Sequence, residues 1–279
     1  MRGGETVFMR IHPTAIVEEG AALGDGVVIG PFCRVSAKAR LGAGVELKSH
    51  VVVAGRTEIG ARTIVHPFAA LGGPPQHLGY RGEDTALRIG EDCVIREHAT
   101  LNLGTPTGRG ETVVGDRCFL MTGAHVAHDC LVGSDVIFAN NATLGGHVVI
   151  EDFVFLGGLC AVHQFCRVGA YAFIGGCAAV PTDVIPYASA TGNHAQLSGL
   201  NIVGMKRRGM SRAAIHDLRA AYRMLFAPAG SFQERVEAVA STFAHREEVM
   251  RIVRFIRTDT RRPLMAPPRR PCSAGDDSE

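Results

Sequence analysis

Large apolar residues recur at every sixth position through most of this 279-residue chain. The run begins Ile11, Val17, Leu23, Ile29, Val35, Leu41 and continues in step to Leu71. It breaks at GGPPQHLGYRGEDTA and resumes at Ile89, Ile95 and Leu101. A second break, LGTPTGRGET, shifts the phase by one residue before the run continues from Val114 to Val180. Four positions after an anchor the residue is small: 25 of 26 anchors have Ala, Val, Thr or Cys there, and only Pro75, in the first break, departs. A period of six belongs to neither a helix nor a flat strand. One large and one small inward residue per six suit a short strand plus a turn. Three such units close a triangular coil of about 18 residues, and coils stack about 4.8 Å apart through strand hydrogen bonds. The pattern predicts a mainly β fold, a parallel β-helix of hexapeptide repeats. It spans 11–194 after an N-terminal extension of 1–10, in roughly nine or ten coils, with loops thrown out at 72–86 and 103–113. The glycines that follow anchors (Gly24, Gly30, Gly42, Gly60) are expected where the turns need unusual dihedrals.

After TDVIPYASATGNH the period ends, and a small α-helical domain is expected over 195–262. Ser211 can cap a helix carrying Ile215, Leu218, Tyr222 and Leu225 that ends near Pro228–Gly230. Ser231 can cap a second, with Val236, Val239 and Phe243, and a third carries Val249, Ile252, Val253 and Ile256. Residues 263–279, Pro-rich and polar, read as a disordered tail without a role in the chemistry.

Composition supports this picture. Tryptophan is absent and glycine is abundant at 34, which suits a fold of many turns. MRGGETVFMR has no apolar signal region and no segment is long enough to span a bilayer, so a cytoplasmic protein without membrane insertion is expected. Eight cysteines occur without a C-x-x-C pair. Six of them (Cys33, Cys93, Cys118, Cys130, Cys160, Cys166) fall in the small inward slot and read as free, structural thiols. Residues 1–194 carry 14 Lys+Arg against 18 Asp+Glu, whereas 195–262 carry 13 against 6. That basic module is either a solubilising surface or a docking face for an acidic partner; no nucleic-acid partner is expected.

Candidate chemistry gathers between Leu120 and Val168, where His125, His128, His147 and His163 fall in slots that the inward lattice does not use. They must point outward or sit at corners, which excludes buried core histidines; an ordinary surface histidine is the remaining plain reading. Asp129 precedes His147 by one coil, so the two occupy equivalent positions on adjacent coils. A carboxylate beside an imidazole fixes its tautomer and raises its basicity, as a general base requires. Gly145 and Gly146 precede His147, and a glycine pair lets backbone N–H groups approach a reacting carbonyl as oxyanion donors. Two ordinary turn glycines are the plainer alternative.

With AHVAHDC, NNATLGGH, AVHQF, GNHA and NIVGMKRRG in this order, and HPTAIVEEGA, IGPFC and LKSHVVV before them, the chain resembles the UDP-N-acetylglucosamine O-acyltransferases of lipid A biosynthesis over residues 11 to about 260. The resemblance implies a left-handed β-helix and a homotrimer with active sites between neighbouring subunits. It implies transfer of an (R)-3-hydroxyacyl group from acyl carrier protein to the glucosamine 3-position of a UDP-sugar, with no cofactor and no metal. It makes His128 the base, Asp129 its orienting partner and Gly146 the oxyanion donor. His125, His147, His163, Gln164 and His194 would line the substrate sites; Asn201, Arg207 and Arg208 would bind the nucleotide. Gly176 matches the position whose size limits acyl-chain length. The sequence departs from the family pattern where His77 replaces an acidic residue, Gly79 a lysine and Asn102 a histidine. In the family these positions lie near the acceptor sugar, so the resemblance leaves a 3-amino analogue, giving an amide, open as the acceptor.

Three other readings compete. An N-acyltransferase of the same pathway would carry a uridine-binding domain before the repeat, which here begins at Ile11. A trimeric zinc hydratase on the same fold would show an H-x4-H pair, and the spacings of 125, 128, 147 and 163 supply none. A non-catalytic surface-binding solenoid would repeat one residue type along a face, whereas these outward slots are mixed.

Overall fold

The computed structural model describes residues 9–258 and 261–268. Within them the hexapeptide repeat forms a prism of three sheets with 11, 9 and 8 strands. Sheet I starts at Arg10–Ile11, sheet II at Ile16–Val17 and sheet III at Ala22–Leu23; every strand except the last of sheet I pairs in parallel with the strand one coil away. Most strands are two residues long, because only the pair ending in an anchor runs straight between turns. Register follows the repeat: Ile137 lies beside Phe155 and Thr143 beside Ala161. The step lengthens across the first break, where Ile64 pairs with Val94, and across the second, where Thr100 pairs with His125.

Both inward lattices are buried, with Phe138, Leu144, Ile150 and Leu156 fully enclosed and the six lattice cysteines free among them. The first coil is open at its end: the anchor Ile11 is 43% exposed and the anchors Val17 and Leu23 are only half-buried. The turn glycines act differently from the sequence expectation. Gly24, Gly30, Gly42 and Gly60 have ordinary φ; they are needed because a Cβ there would strike the next coil, 1.9 Å from the Lys48 carbonyl in the case of Gly30. Left-handed φ belongs instead to the residue three after an anchor. Phe32, His50, Phe68 and His98 hold it on the I/II corner, Asp129, His147 and Phe165 on the II/III corner, and Asp135, Phe153, Tyr171 and Tyr187 on the III/I corner. Each such non-glycine residue costs on the order of 1–3 kcal/mol, which the coil around it must offset. Stacked rings contribute to that, as between His50 and Phe68 at 4.9 Å and Tyr171 and Tyr187 at 5.2 Å.

Sheet I does not stop at residue 194. Ala188–Thr191 turns back into Gln196–Leu200, an antiparallel pair that closes the last coil, so 195–200 belong to the β-helix. The helical domain then comprises α1 (Ile202–Arg207), α2 (Arg212–Leu225), α3 (Phe232–Thr242) and α4 (Glu247–Arg257). The short α1 has no sequence signal beyond Asn201, whose Oδ1 accepts from the Gly204 N–H at 2.9 Å. Ser211 caps α2 and Ser231 caps α3 as expected, the latter in a capping box with Glu234. Buried Asp183 joins the two parts: it receives Arg167 Nε at 2.8 Å, and Arg167 lies 4.2 Å over the ring of Phe255 on α4.

The expectation of a disordered tail from residue 263 does not hold as far as 268. Leu264 bridges to Asp183, the Asp183 N–H donates to the Pro263 carbonyl at 2.9 Å, and the Met265 N–H donates to the Asp183 carbonyl at 2.7 Å. Met265 is buried, so apolar contact and strand pairing outweigh the Pro-rich composition. Residues 269–279 and the extension up to residue 8 lie outside the described residues. Among the described residues no helix is long and apolar enough to cross a membrane.

Candidate active site

Three of the four histidines converge on the II/III corner. His128 and Asp129 follow the sheet II strand His125–Val126, with Asp129 at φ +60°. His128 Nδ1 lies 2.8 Å from Asp129 Oδ2. Asp129 is fully buried, but not in the β-helix core: the second excursion folds over it. Thr105 donates its hydroxyl to Oδ2 at 2.6 Å and its N–H to both oxygens at 3.1 Å, and the Arg109 N–H donates to Oδ1 at 2.7 Å. Burial alone would raise this carboxyl's pKa; the hydrogen bonds from Thr105, His128 and Arg109 outweigh it and hold the group below the usual range. An ionised carboxylate only accepts, so His128 Nδ1 carries the hydrogen and Nε2 presents its lone pair.

Thr105, Gly108 and Arg109 are functional positions that sequence reasoning missed. A Cβ on Gly108 would fall 2.4 Å from the Asp129 carboxylate, so the loop closes on the anion only with glycine there. The available signal was LGTPTGRG itself, a Gly- and Thr-rich segment able to turn N–H groups inward.

His147 occupies the same corner one coil on, its Nε2 3.8 Å from Asp129 Oδ2 and its ring edge-on to His128 at 5.1 Å. Phe165 stacks on its other side at 4.6 Å. Burial pushes the His147 pKa down against the pull of Asp129. His125 faces outward on sheet II, half-buried, with Nδ1 2.7 Å from Thr100 Oγ1, and burial lowers its pKa as well. Ligand atoms of His128, Asp129 and His147 lie within 4.8 Å of one another, a cluster that could hold a metal ion. Yet Oδ2, the oxygen nearest both rings, is already taken by the Thr105 hydroxyl and His128. The donor set suits proton transfer better than metal binding.

Gly146 lies one coil beyond His128. A Cβ there would be 2.6 Å from His128 Cε1, so glycine is what admits the imidazole. Its carbonyl accepts from the Phe165 N–H at 3.1 Å, while its own N–H has no partner among the described residues. The first excursion approaches from the opposite side. His77 meets His128 edge-on at 5.6 Å, and the Gly79 N–H donates to His77 Nδ1 at 3.1 Å. Asn102 Nδ2 holds the base of that loop through the Pro74 carbonyl at 3.1 Å, and its buried Oδ1 has no partner among the described residues. His163 and Gln164 complete the corner, in contact with Arg262.

The remaining sequence candidates do not join this corner within one chain. Asn201, Arg207 and Arg208 line a groove of about 1150 Å³ on the III/I corner with Phe153, Tyr171 and Phe173. There the Arg208 guanidinium lies 4.4 Å over Phe153, and Asn201 Nδ2 donates to the Tyr171 carbonyl at 2.9 Å. Gly176 is exposed on the I/II corner, where the turn carrying His194 also lies.

Residues 183–265 match the family model described as UDP N-acetylglucosamine O-acyltransferase, domain 2, and 111–146 match bacterial transferase hexapeptide repeats. The chain is 58% identical over 261 residues to an acyl-[acyl-carrier-protein]–UDP-N-acetylglucosamine O-acyltransferase of Caulobacter vibrioides, covering 94% of this chain and 99% of that one. It is 51% identical over 260 residues to the protein of the same name from Rhizobium johnstonii, covering 93% and 96%. Among solved structures, a UDP-N-acetylglucosamine acyltransferase from Campylobacter jejuni superposes with a TM-score of 0.86 at 39% identity, covering 92% of this chain and 99% of that one. One from Francisella novicida gives 0.89 at 34% identity, covering 92% and 94%.

Proposed function

Because the chain belongs to the UDP-N-acetylglucosamine O-acyltransferase family, we propose that it transfers an (R)-3-hydroxyacyl chain from acyl carrier protein to the glucosamine 3-position of UDP-N-acetylglucosamine, the first step of lipid A biosynthesis. The observation that carries the mechanism is the His128–Asp129 pair at 2.8 Å. His128 Nε2 removes the proton from the 3-hydroxyl as its oxygen bonds to the thioester carbonyl carbon. The oxyanion accepts a hydrogen bond from the Gly146 N–H. Collapse breaks the C–S bond, and the imidazolium returns its proton to the leaving thiolate. Asp129 stays ionised throughout, orienting the imidazole and stabilising its charged form.

The division of the site supports assembly as a homotrimer. The base lies on the II/III corner and the nucleotide-binding candidates Asn201, Arg207 and Arg208 on the III/I corner, so copies packed side by side bring the two groups face to face. His194 and Gly176, on the I/II corner, complete the substrate groove on the same reading, and glycine at 176 leaves room for a long acyl chain. Docking of the acidic carrier is supported by α2, where Arg212, Arg219 and Arg223 are exposed at spacings that share a helix face and form no ion pair among the described residues. On this reading the enzyme works in the cytoplasm, where its substrates would be met.

The test is an acyl-transfer assay offering the 3-hydroxy and 3-amino sugar nucleotides with a panel of acyl carriers. A base-labile ester on the hydroxy sugar is expected, and a base-stable amide formed only on the amino sugar would move the acceptor. His128→Ala should leave the assembly intact and lower the rate by about 100-fold or more. Retention of more than about a tenth of the wild-type rate would count against the base, given a typical general-base contribution of 10²–10⁴.

A further inference from the structure

The docked segment after α4 delivers two arginines to the active-site corner. Pinned at Asp183 through Pro263, Leu264 and Met265, it is tied down again where the Leu197 N–H donates to the Ala266 carbonyl at 3.2 Å. Arg261 lies 4.8 Å over Phe165, the ring that backs His147. Arg262 Nη2 lies 2.7 Å from His163 Nδ1, and its Nε donates to the Gln164 carbonyl at 3.1 Å.

A guanidinium has five donors and no acceptor, so the contact at Nδ1 is possible only if that nitrogen offers its lone pair. The Gln164 carbonyl also lies 3.1 Å from Nδ1, but it already receives Arg262 Nε–H, and the shorter, charge-assisted contact decides. The hydrogen of the neutral ring is then on Nε2, which has no partner among the described residues on an exposed side chain. His128 is in the opposite state, with hydrogen on Nδ1 and a lone pair on Nε2.

We propose that Arg262 is a positioning residue that sets the tautomer of His163, so that one corner holds a histidine base at 128 and a histidine hydrogen-bond donor at 163. The donor suits an oxygen without a hydrogen of its own, a carbonyl or phosphate oxygen. Both substrates of the proposed reaction have such oxygens, the sugar nucleotide in its acetamido and diphosphate groups and the carrier in its phosphopantetheine arm. The kinetic consequence therefore rests on the proposed function; the tautomer does not.

Two measurements test this. In protein carrying ¹⁵N-labelled histidine, long-range ¹H–¹⁵N correlation should show His163 as the Nε2–H form in the wild type and as a mixture of both forms in Arg262→Ala. A wild-type His163 protonated at Nδ1, or an unchanged spectrum in the variant, overturns the proposal whatever the enzyme's activity. In kinetics, Arg262→Ala and His163→Ala should each raise KM for the same substrate by about tenfold, the size of one hydrogen bond, with a smaller change in kcat. Separate titration of sugar nucleotide and acyl carrier shows which one donates the oxygen. The double variant should be no worse than His163→Ala, and Arg262→Lys, which keeps a donor, should recover most of the loss. Multiplying losses in the double variant, with both single variants folded as judged by thermal unfolding, would mean that Arg262 does not act through His163.

Discussion

Replacing Asp129 by Asn tests the catalytic corner with almost no change of shape. The carboxylate receives two backbone N–H groups, one hydroxyl and His128 Nδ1. An amide keeps one accepting oxygen, and that oxygen will face the Thr105 and Arg109 N–H groups, which cannot reverse their polarity. The amide nitrogen then falls at the Oδ2 position. There the Thr105 hydroxyl can rotate to accept, but His128 Nδ1 meets an N–H donor and must turn its lone pair toward it. Nε2 acquires the hydrogen and can no longer take a proton from the acceptor sugar. The expected loss in kcat is about 10⁴-fold, the size of a wrong-tautomer defect in a hydrolytic triad, with KM for the sugar nucleotide nearly unchanged because the loop keeps its place. Stability should fall by roughly 1–3 kcal/mol, the usual cost of one ill-matched buried polar group. Steady-state kinetics with both substrates varied, together with urea unfolding, separates these effects. A variant with more than a tenth of the wild-type kcat, or a loss confined to KM, would refute the assignment of the tautomer to Asp129.

Gly146→Ala should lower kcat by at least about 100-fold without unfolding the protein, because the new Cβ would lie 2.6 Å from His128 Cε1 and displaces the base from the oxyanion donor; near-normal kcat would show that the ring has room to move. Raising ionic strength should raise KM for the acyl carrier while that for the sugar nucleotide changes less, and a KM for the carrier that stays flat across salt would exclude electrostatic docking on α2. Burial lowers the pKa of both His125 and His147 in the folded state. The unfolded chain therefore binds protons that the folded chain does not once the pH drops below about 6.5, so stability is fully present above that value and falls on acidification. Unfolding measured from pH 7.5 to 5.5 should show a shallower decline in His125→Gln than in the wild type; equal slopes would mean that His125 protonates as easily folded as unfolded.

How far the site could be read from sequence depended on how local its causes are. The β-helix is legible because the lattice of Leu, Ile and Val anchors with small partners repeats one local rule, and that rule also places His125, His128 and Asp129 outside the core. It misjudged the turn glycines because the pressure on Gly30 comes from Lys48, a full coil away, and a six-residue period cannot show which neighbour a backbone atom strikes. Burial of Asp129 was invisible for the same reason: the Thr105 and Arg109 N–H groups that surround it come from an excursion whose path has no periodicity. The tail was misread because its composition is that of a disordered segment, whereas its order comes from Asp183, which the lattice leaves unexplained and the fold uses as an anchor. Both excursions and the docked segment converge on one corner of an otherwise regular prism. The repeat builds a rigid column of equivalent positions, and the irregular segments decide which histidine accepts a proton and which donates one. Changes of acceptor within this architecture are therefore expected at His77, Asn102, Thr105 and Arg262 rather than at the inward anchors, where a substitution disturbs every coil stacked upon it.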